Sequence, residues 1–180
     1  MVPAEQSEHA LVRRAQEHDA DAVAELYRRY SGQIYRFCLF RLSDEASAQD
    51  LTEDVFLNMV ESLPLYVDRG LPFAAWLFRI AHHRVADHYR RQSRRQTDKL
   101  EDNLPDSQPG PEAVAAQNTE MLRLRQAMAQ LSEDYRMVLQ LRFVEGVDLA
   151  QAADTMQKSV GAVKVMQHRA LRQLAKLLGK

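Results

Sequence analysis

Residues 148–178 read DLAQAADTMQKSVGAVKVMQHRALRQLAKLL, and this stretch decides the fold of the C-terminal part of the chain. Asp148 is placed to cap a short alanine-rich helix, after which three residues break the helical pattern. A longer basic helix then runs from Val160 to about Leu178. Because the first helix has small residues, the second can cross it closely. The spacing therefore predicts a helix-turn-helix, a motif whose second helix enters the major groove of DNA.

The exposed face of this second helix is the candidate base-reading surface. Residues near the helix start meet base edges in this motif, and small residues there let the backbone approach a phosphate. The predicted contacts are Gly161, Ala162, Lys164, Val165, His168, Arg169 and Arg172. The residues expected to turn inward are Val163, Ala170 and Leu174. A pair of antiparallel helices with a solvated basic face is the alternative interpretation.

The rest of the chain also has helical spacing, and strand signals are scarce. Earlier helices are predicted near 7–18, 19–42, 44–63 and 72–96. Two more precede the quoted stretch, one ending near Leu131 and one capped by Ser132 and ended by Gly146. Among the residues expected to face the cores are Tyr27, Ile34, Phe37, Val55, Val60, Leu77, Val138 and Phe143.

Residues 97–112 interrupt the helical pattern. They contain Pro105, Pro109 and Pro111 together with several acids and few large apolar groups, a composition typical of a flexible linker. We therefore predict an all-α chain of two small helical domains, 1–96 and 113–180, joined by this acidic linker. The helix-turn-helix belongs to the C-terminal domain.

The net charge of −1 hides three segregated blocks. Residues 69–95 hold seven arginines against one acid, and residues 158–180 hold six cations and no acid, so each block carries +6. Residues 42–62 hold six acids and no cation. Such segregation is typical of a DNA-binding protein that also docks on another surface. Three solvated helix faces are the alternative.

The basic helix from Phe73 to Arg95 also carries Trp76, Phe78, Tyr89 and three histidines. Cationic tracks with aromatic or apolar pockets hold single-stranded DNA, and a preference for unstacked bases can separate strands without nucleotide hydrolysis. Core packing of Trp76 and solvation of the arginines are the alternatives.

Enzyme and metal motifs are absent from the sequence. His83 and Asp87 share a helix face, but two ligands do not make a metal site, and no phosphate loop, catalytic-triad spacing or HExxH occurs. We therefore predict no enzymatic activity, no metal and no cofactor. The single cysteine, Cys38, excludes an intrachain disulfide and fits a reducing compartment. With no secretory signal or membrane-spanning run, the predicted location is the cytoplasm.

Four short motifs follow one another along the chain. DLTEDVF spans residues 50–56, FAAWLFRIA spans 73–81, LRFVEG spans 141–146, and GAVK at 161–164 precedes HRA at 168–170. In order and separation they resemble the extracytoplasmic-function (ECF) group of the sigma-70 family over nearly the whole chain. The resemblance implies a promoter-specificity subunit that directs RNA polymerase in transcription initiation.

The resemblance also implies a role for each charged block. The polymerase β′ clamp would be contacted by Asp50, Leu51, Glu53, Asp54 and Phe56. The loop 65–71 and the helix after it would recognise and melt the minus-ten promoter element, through Trp76, Arg79, His83, Asp87, His88, Arg90, Arg91 and Arg94. The helix-turn-helix would read the minus-thirty-five element. The polymerase β flap and an anti-sigma factor are further implied partners.

Several residues depart from the family's pattern. Glu53 replaces a usual glutamine, and His83 replaces a frequent asparagine. The pair Val165-Met166 replaces a frequent Ser-Arg, and since valine can contact a thymine methyl, we expect an altered base preference. Gln167 replaces a core leucine, so we expect a slightly rotated recognition helix. A stand-alone helix-turn-helix regulator that does not bind core polymerase, and a helical hydrolase using His83 and Asp87, are the alternative functions.

Overall fold

The computed structural model describes residues 7–42, 44–98 and 117–179, and every regular element within them is helical. The α-helices are α1 (Glu8–Gln16), α2 (Ala20–Leu42), α3 (Glu45–Ser62), α4 (Phe73–Asp98), α5 (Gln117–Ala129), α6 (Glu133–Leu139), α7 (Leu149–Thr155) and α8 (Val160–Leu177). The all-α prediction is confirmed. The predicted linker 97–112 lies, from residue 99 onward, outside the described residues. None of the described helices is long and apolar enough to cross a membrane.

The described chain divides into two compact units, which meet in sequence between His88 and Tyr89, within α4. In the first unit, α2 packs against both α1 and α3. The ring of Phe37 on α2 lies 5.5 Å from that of Phe78 on α4, measured between centroids. Burying such a side chain stabilises the fold by ~1.5–3 kcal/mol relative to leaving it exposed. These contacts fix the faces that α3 and α4 present to solvent.

Two residues expected in this core are exposed instead. Tyr27 is 44% exposed and Val60 is 46% exposed. The Tyr27 ring packs edge-on against Phe56, with the ring centroids 4.7 Å apart. Both residues lie at the margin of their apolar stripes, where no neighbouring described helix covers them. The helical spacing gives the apolar face correctly, but the predicted burial of these two side chains is wrong.

In the second unit, capping residues fix where the helices begin and end. The Asp148 carboxylate accepts a hydrogen bond from the Gln151 N–H at 2.8 Å, and the Gln151 side chain accepts one from the Asp148 N–H at 3.2 Å. This reciprocal capping box starts α7 where the sequence predicts it. Gly146, with a φ of +68°, ends the preceding helix in the left-handed conformation that glycine adopts without strain.

The helical spacing predicts Phe143 on the apolar face of the helix that Ser132 caps, and this prediction is wrong. Its side chain is 60% exposed. The reason is that α6 passes into a π-helical turn over Gln140–Val144. A π turn contains about one residue more than an α turn, so the residues after it rotate away from the stripe that α-helical spacing predicts.

α7 and α8 pack as the sequence predicts for a helix-turn-helix. Ala152 and Ala153 of α7 are buried, and so are Val163 and Ala170 on one face of α8. Gln157 makes the turn with a φ of +53°. The small side chains on α7 let α8 cross close by, which leaves the opposite face of α8 open to solvent.

Asp19 joins α1 to α2. One carboxylate oxygen accepts hydrogen bonds from the N–H groups of Asp21 and Ala22, at 3.0 and 3.1 Å. The other lies 2.6 Å from a guanidinium nitrogen of Arg14. The Ala22 hydrogen bond, followed by the one from Arg14, holds the pKa of Asp19 below its ordinary value of 3.8.

We expect the contribution of Asp19 to stability to be present above its ordinary pKa of 3.8 and lost as the pH falls through the lowered value. A carboxyl whose pKa is depressed by folding releases its proton more readily in the folded state, so protonation favours unfolding. Asp19→Asn should therefore be less stable than the wild type at neutral pH and lose less stability on acidification. Urea unfolding followed by the fluorescence of Trp76, the chain's single tryptophan, measures this. Asp21→Asn is the matched control, and identical acid profiles for Asp19→Asn and the wild type would contradict the prediction.

Candidate functional site

α3 presents an acidic face. Asp50, Glu53 and Asp54 are exposed, and their spacing places them on one side of the helix. Leu51 and Phe56 are only 6% and 5% exposed, so their side chains face the core. Of the five residues that the sequence suggests for polymerase contact, the structure thus brings three carboxylates together on the surface and uses two apolar residues to hold the helix in place.

An apolar groove of about 790 Å³ adjoins this acidic face. Its walls come from the end of α1, from α2 and from α3, and Glu53 lies at its border. Leu57 is 63% exposed in the groove, beside Tyr27 and Val60. Sequence reasoning missed Leu57 because it lies off the buried stripe of α3. An apolar residue in the middle of an acidic helix face was the signal that could have indicated it.

Aromatic residues gather at the start of α4. The Tyr66 ring lies 5.3 Å from that of Phe73 and 4.8 Å from that of Trp76, and the rings of Phe73 and Trp76 are 5.2 Å apart. Phe73 is buried, whereas Tyr66 and Trp76 are partly exposed. One side of the Trp76 ring therefore packs against the core. The rest of the ring is open to solvent, next to the end of the loop 65–71.

The other residues predicted to contact the minus-ten element follow along α4. Arg79, Asp87 and His88 are partly buried, and each has interactions within the chain. His83, Arg90, Arg91 and Arg94 are exposed. α4 thus carries its cations beyond the aromatic cluster. In the described residues, no group of three His, Cys, Asp or Glu side chains is close enough to hold a metal ion.

The loop before α4 ends in a tight turn. The Asp68 carboxylate accepts a hydrogen bond from the Gly70 N–H at 2.8 Å, and Gly70 has a φ of +74°. Between them Arg69 is exposed. The turn therefore places a cation at its tip. The sequence predicts Arg69 as part of the basic block and of the loop 65–71, but it does not single out this residue as a contact.

α8 brings all seven predicted minus-thirty-five residues onto the surface. The hydroxyl of Ser159 accepts a hydrogen bond from the Ala162 N–H at 3.2 Å and so fixes the start of the helix. Every one of the seven is exposed: Gly161, Ala162, Lys164, Val165, His168, Arg169 and Arg172. A helix N-terminus with exposed cations and no acid suits DNA phosphates as well as base edges.

Gln167 is held by Arg142 from the π turn. The Arg142 Nε donates a hydrogen bond to the Gln167 side-chain oxygen at 3.2 Å, and the same guanidinium donates to the Val147 carbonyl. Both side chains are partly buried. Gln167 thus joins α8 to the turn before α7 through a polar contact.

The second unit also exposes apolar residues on that turn. Phe143 is 60% exposed and Val144 is 48% exposed. Both residues belong to the π turn, so apolar surface is open to solvent at this turn. This patch is distinct from the cationic residues of α8 and lies on a different element.

Models of two sigma-70 regions match separate parts of the chain. Sigma-70 region 2 matches residues 26–95, and Sigma-70, region 4 matches residues 121–174. The chain is 35% identical to the ECF RNA polymerase sigma factor BldN of Streptomyces coelicolor, across 93% of this chain and 64% of BldN. It is 34% identical to the ECF RNA polymerase sigma factor SigD of Mycobacterium tuberculosis, across 92% of this chain and 81% of SigD.

A solved structure shares the fold. That of CnrH in complex with the cytosolic domain of CnrY superposes with a TM-score of 0.73 at 24% identity, covering 96% of this chain and 97% of CnrH. The two sigma-70 regions match in succession, region 2 before region 4. The chain belongs to the ECF RNA polymerase sigma factors of the sigma-70 family. This confirms the resemblance found in the sequence, and nothing among these comparisons favours a stand-alone regulator.

We expect Gln167→Ala to loosen the middle of α8. The substitution removes the acceptor of the Arg142 hydrogen bond, and a net loss of ~0.5–1.5 kcal/mol is ordinary for such a bond. Amide hydrogen exchange across α8 should therefore be faster by roughly 2- to 10-fold in the variant. Gln173→Ala, at an exposed position on the same helix, is the control. Equal exchange in both variants would show that the contact contributes nothing.

Proposed function

We propose that this chain directs core RNA polymerase to promoters through separate surfaces for the polymerase and for DNA. The acidic face of α3 with its adjoining groove binds the polymerase β′ clamp. The loop 65–71 and α4 recognise and open the minus-ten element, and α8 reads the minus-thirty-five element. One observation carries the proposal: three exposed carboxylates gather on α3, whereas the exposed charges of α8 are all cations.

The acidic face suits a basic protein surface and repels DNA. Asp50, Glu53 and Asp54 would meet phosphates with like charge, so DNA is an unsuitable partner for this side of α3. A stable protein interface also needs apolar area to bury, and the groove supplies it. Leu57 and Val60 are its exposed anchor residues. Charge at the border and apolar surface beside it are the usual composition of a specific protein interface.

DNA opening needs no chemical step in this proposal. Exposed cations on α4 attract the phosphate backbone, and the open side of Trp76 with the loop tip receives bases that leave the stack. Binding then favours the melted form. The chain acts by binding, without enzymatic catalysis, cofactor or metal. Because bacterial polymerase and promoters are in the cytoplasm, the chain acts there.

Two tethered contacts to DNA strengthen one another. Once one promoter element is held, the other is bound at high effective concentration, so two modest affinities yield a specific complex. Phe143 and Val144 of the second unit are a candidate contact for the polymerase β flap. An anti-sigma factor is a further proposed partner, which would silence the chain by covering one of these surfaces.

The test of the proposed function is reconstitution of the chain with core polymerase on genomic DNA, with mapping of the transcripts' start sites. We expect a distinct set of start sites that share two spaced elements. A chain that binds DNA but neither associates with core polymerase nor changes its start sites would disprove the proposal and favour a regulator acting on duplex operators.

Reversing one charge on α3 should separate polymerase binding from DNA binding. Asp50→Arg places a cation where a basic partner is proposed, and like charges across an interface commonly reduce affinity by about 10-fold or more. Glu61→Arg reverses an exposed charge farther along the same helix and is the matched control. Fluorescence anisotropy of labelled chain against core polymerase measures the effect. Equal affinities of Asp50→Arg and the wild type would remove α3 from the clamp contact.

Substitutions on α8 should have the opposite effect. Lys164→Ala and Arg169→Ala should each weaken binding to the minus-thirty-five element by roughly 5- to 100-fold, the range for loss of a base or phosphate contact. Their affinity for core polymerase should stay as in the wild type. Lys176→Ala, at the far end of the helix, is the control. Either variant losing core binding while still folded would contradict the assigned role.

A further inference from the structure

α1 lies before the sigma-70 region 2 match, which begins at residue 26. Nevertheless its polar side chains reach the segment that joins α3 to α4. Gln16, the last residue of α1, donates hydrogen bonds from its side-chain amide to two carbonyls, that of Leu63 at 3.0 Å and that of Tyr66 at 2.9 Å. The Gln16 side-chain amide thus binds the backbone on both sides of the start of the loop, and it holds the backbone of Tyr66 in place.

The tip of the loop has a second contact with α1. The Nδ1 of the His9 ring hydrogen-bonds to the Asp68 carboxylate. The other oxygen of that carboxylate closes the turn onto the Gly70 N–H. The Gly70 hydrogen bond, followed by His9, holds the pKa of Asp68 below its ordinary value, so the carboxylate is ionised at neutral pH. His9 therefore holds the turn that presents Arg69.

The exit of the loop has a third contact. One oxygen of the Glu8 carboxylate accepts a hydrogen bond from the Phe73 N–H at 2.8 Å. The other accepts one from the Tyr30 hydroxyl, and burial together with this bond raises the pKa of Tyr30 far above its ordinary value. Phe73 is the first residue of α4, and the residue before it is a proline, which has no side-chain oxygen to cap the helix. Glu8 supplies that cap from 65 positions earlier in the chain.

We propose that α1 is a positioning element for minus-ten recognition, with Glu8, His9 and Gln16 as the positioning residues. They fix the loop 65–71 at its entrance, its tip and its exit before DNA arrives. The inference rests on the proposed function of that loop. A loop already held in one conformation loses little freedom when it binds, so the energy of its base contacts goes into discrimination between sequences. A loosened loop adapts to wrong bases and discriminates less.

The test uses the full chain with core polymerase and a promoter identified by start-site mapping. Duplexes with a randomised minus-ten element and a fixed minus-thirty-five element are incubated, the open complexes are isolated, and the retained sequences are counted. His9→Ala removes the tip contact, and Gln16→Glu is isosteric but cannot donate to the two carbonyls. We expect each to reduce discrimination at the bases read by the loop by roughly 3- to 10-fold, the equivalent of one lost hydrogen bond. Core affinity and minus-thirty-five preference should not change.

Two variants separate positioning from general damage. His9→Gln keeps a donor for Asp68 and should retain the wild-type preferences, and Arg13→Ala, at an exposed position on the same helix, should do so as well. If both His9→Ala and Gln16→Glu kept the wild-type minus-ten preferences, the inference would be overturned, but the proposed function would stand. Failure of the wild type itself to form open complexes would overturn the proposed function, and the inference with it. His9→Ala alters a largely exposed side chain, so it remains informative if Gln16→Glu does not fold.

Discussion

The constraint on which this structure depends is the need of each helix start to satisfy its free N–H groups. In an all-helical chain with short connections, the residue that meets this need also fixes where the helix begins and how the chain enters it. Local side chains do this for most of the described helices: Ser7, Asp19, Asp44, Ser132, Asp148 and Ser159. The exposed faces follow from these starts, since the Ser159 cap of α8 sets which of its residues face solvent.

The caps and the helical spacing explain how much the sequence could predict. Ser132, Gly146 and Asp148 act within a few residues of their own helices, so their roles could be recognised from local sequence. For the same reason the exposed face of α8 was predictable as a set, because seven residues on one helix share their orientation. The buried alanines of α7 then follow from the crossing of the two helices.

Predictions failed where the outcome depends on a change of helical period or on a distant element. Phe143 was misplaced because a π turn cannot be recognised in α-helical spacing. Tyr27 and Val60 lie on apolar faces, yet only the tertiary structure decides that these faces border an open groove. The contacts of Glu8 and Gln16 join residues that are far apart in sequence, and neither residue belongs to a recognised motif. The domain boundary near residue 96 and the roles of individual site residues stay predictions.

The dependence of α4 on Glu8 has a consequence for engineering promoter preference. A chimaera that transplants only the segment matched by sigma-70 region 2, cut at residue 26, leaves behind α1 and its contacts with the loop 65–71. The incoming loop would then be held by whatever amino-terminal helix the host provides. Under the proposed role of α1, exchange of residues 7–98 as one piece keeps this helix with its loop and would transfer the minus-ten preference, whereas the minus-thirty-five preference would stay with α8.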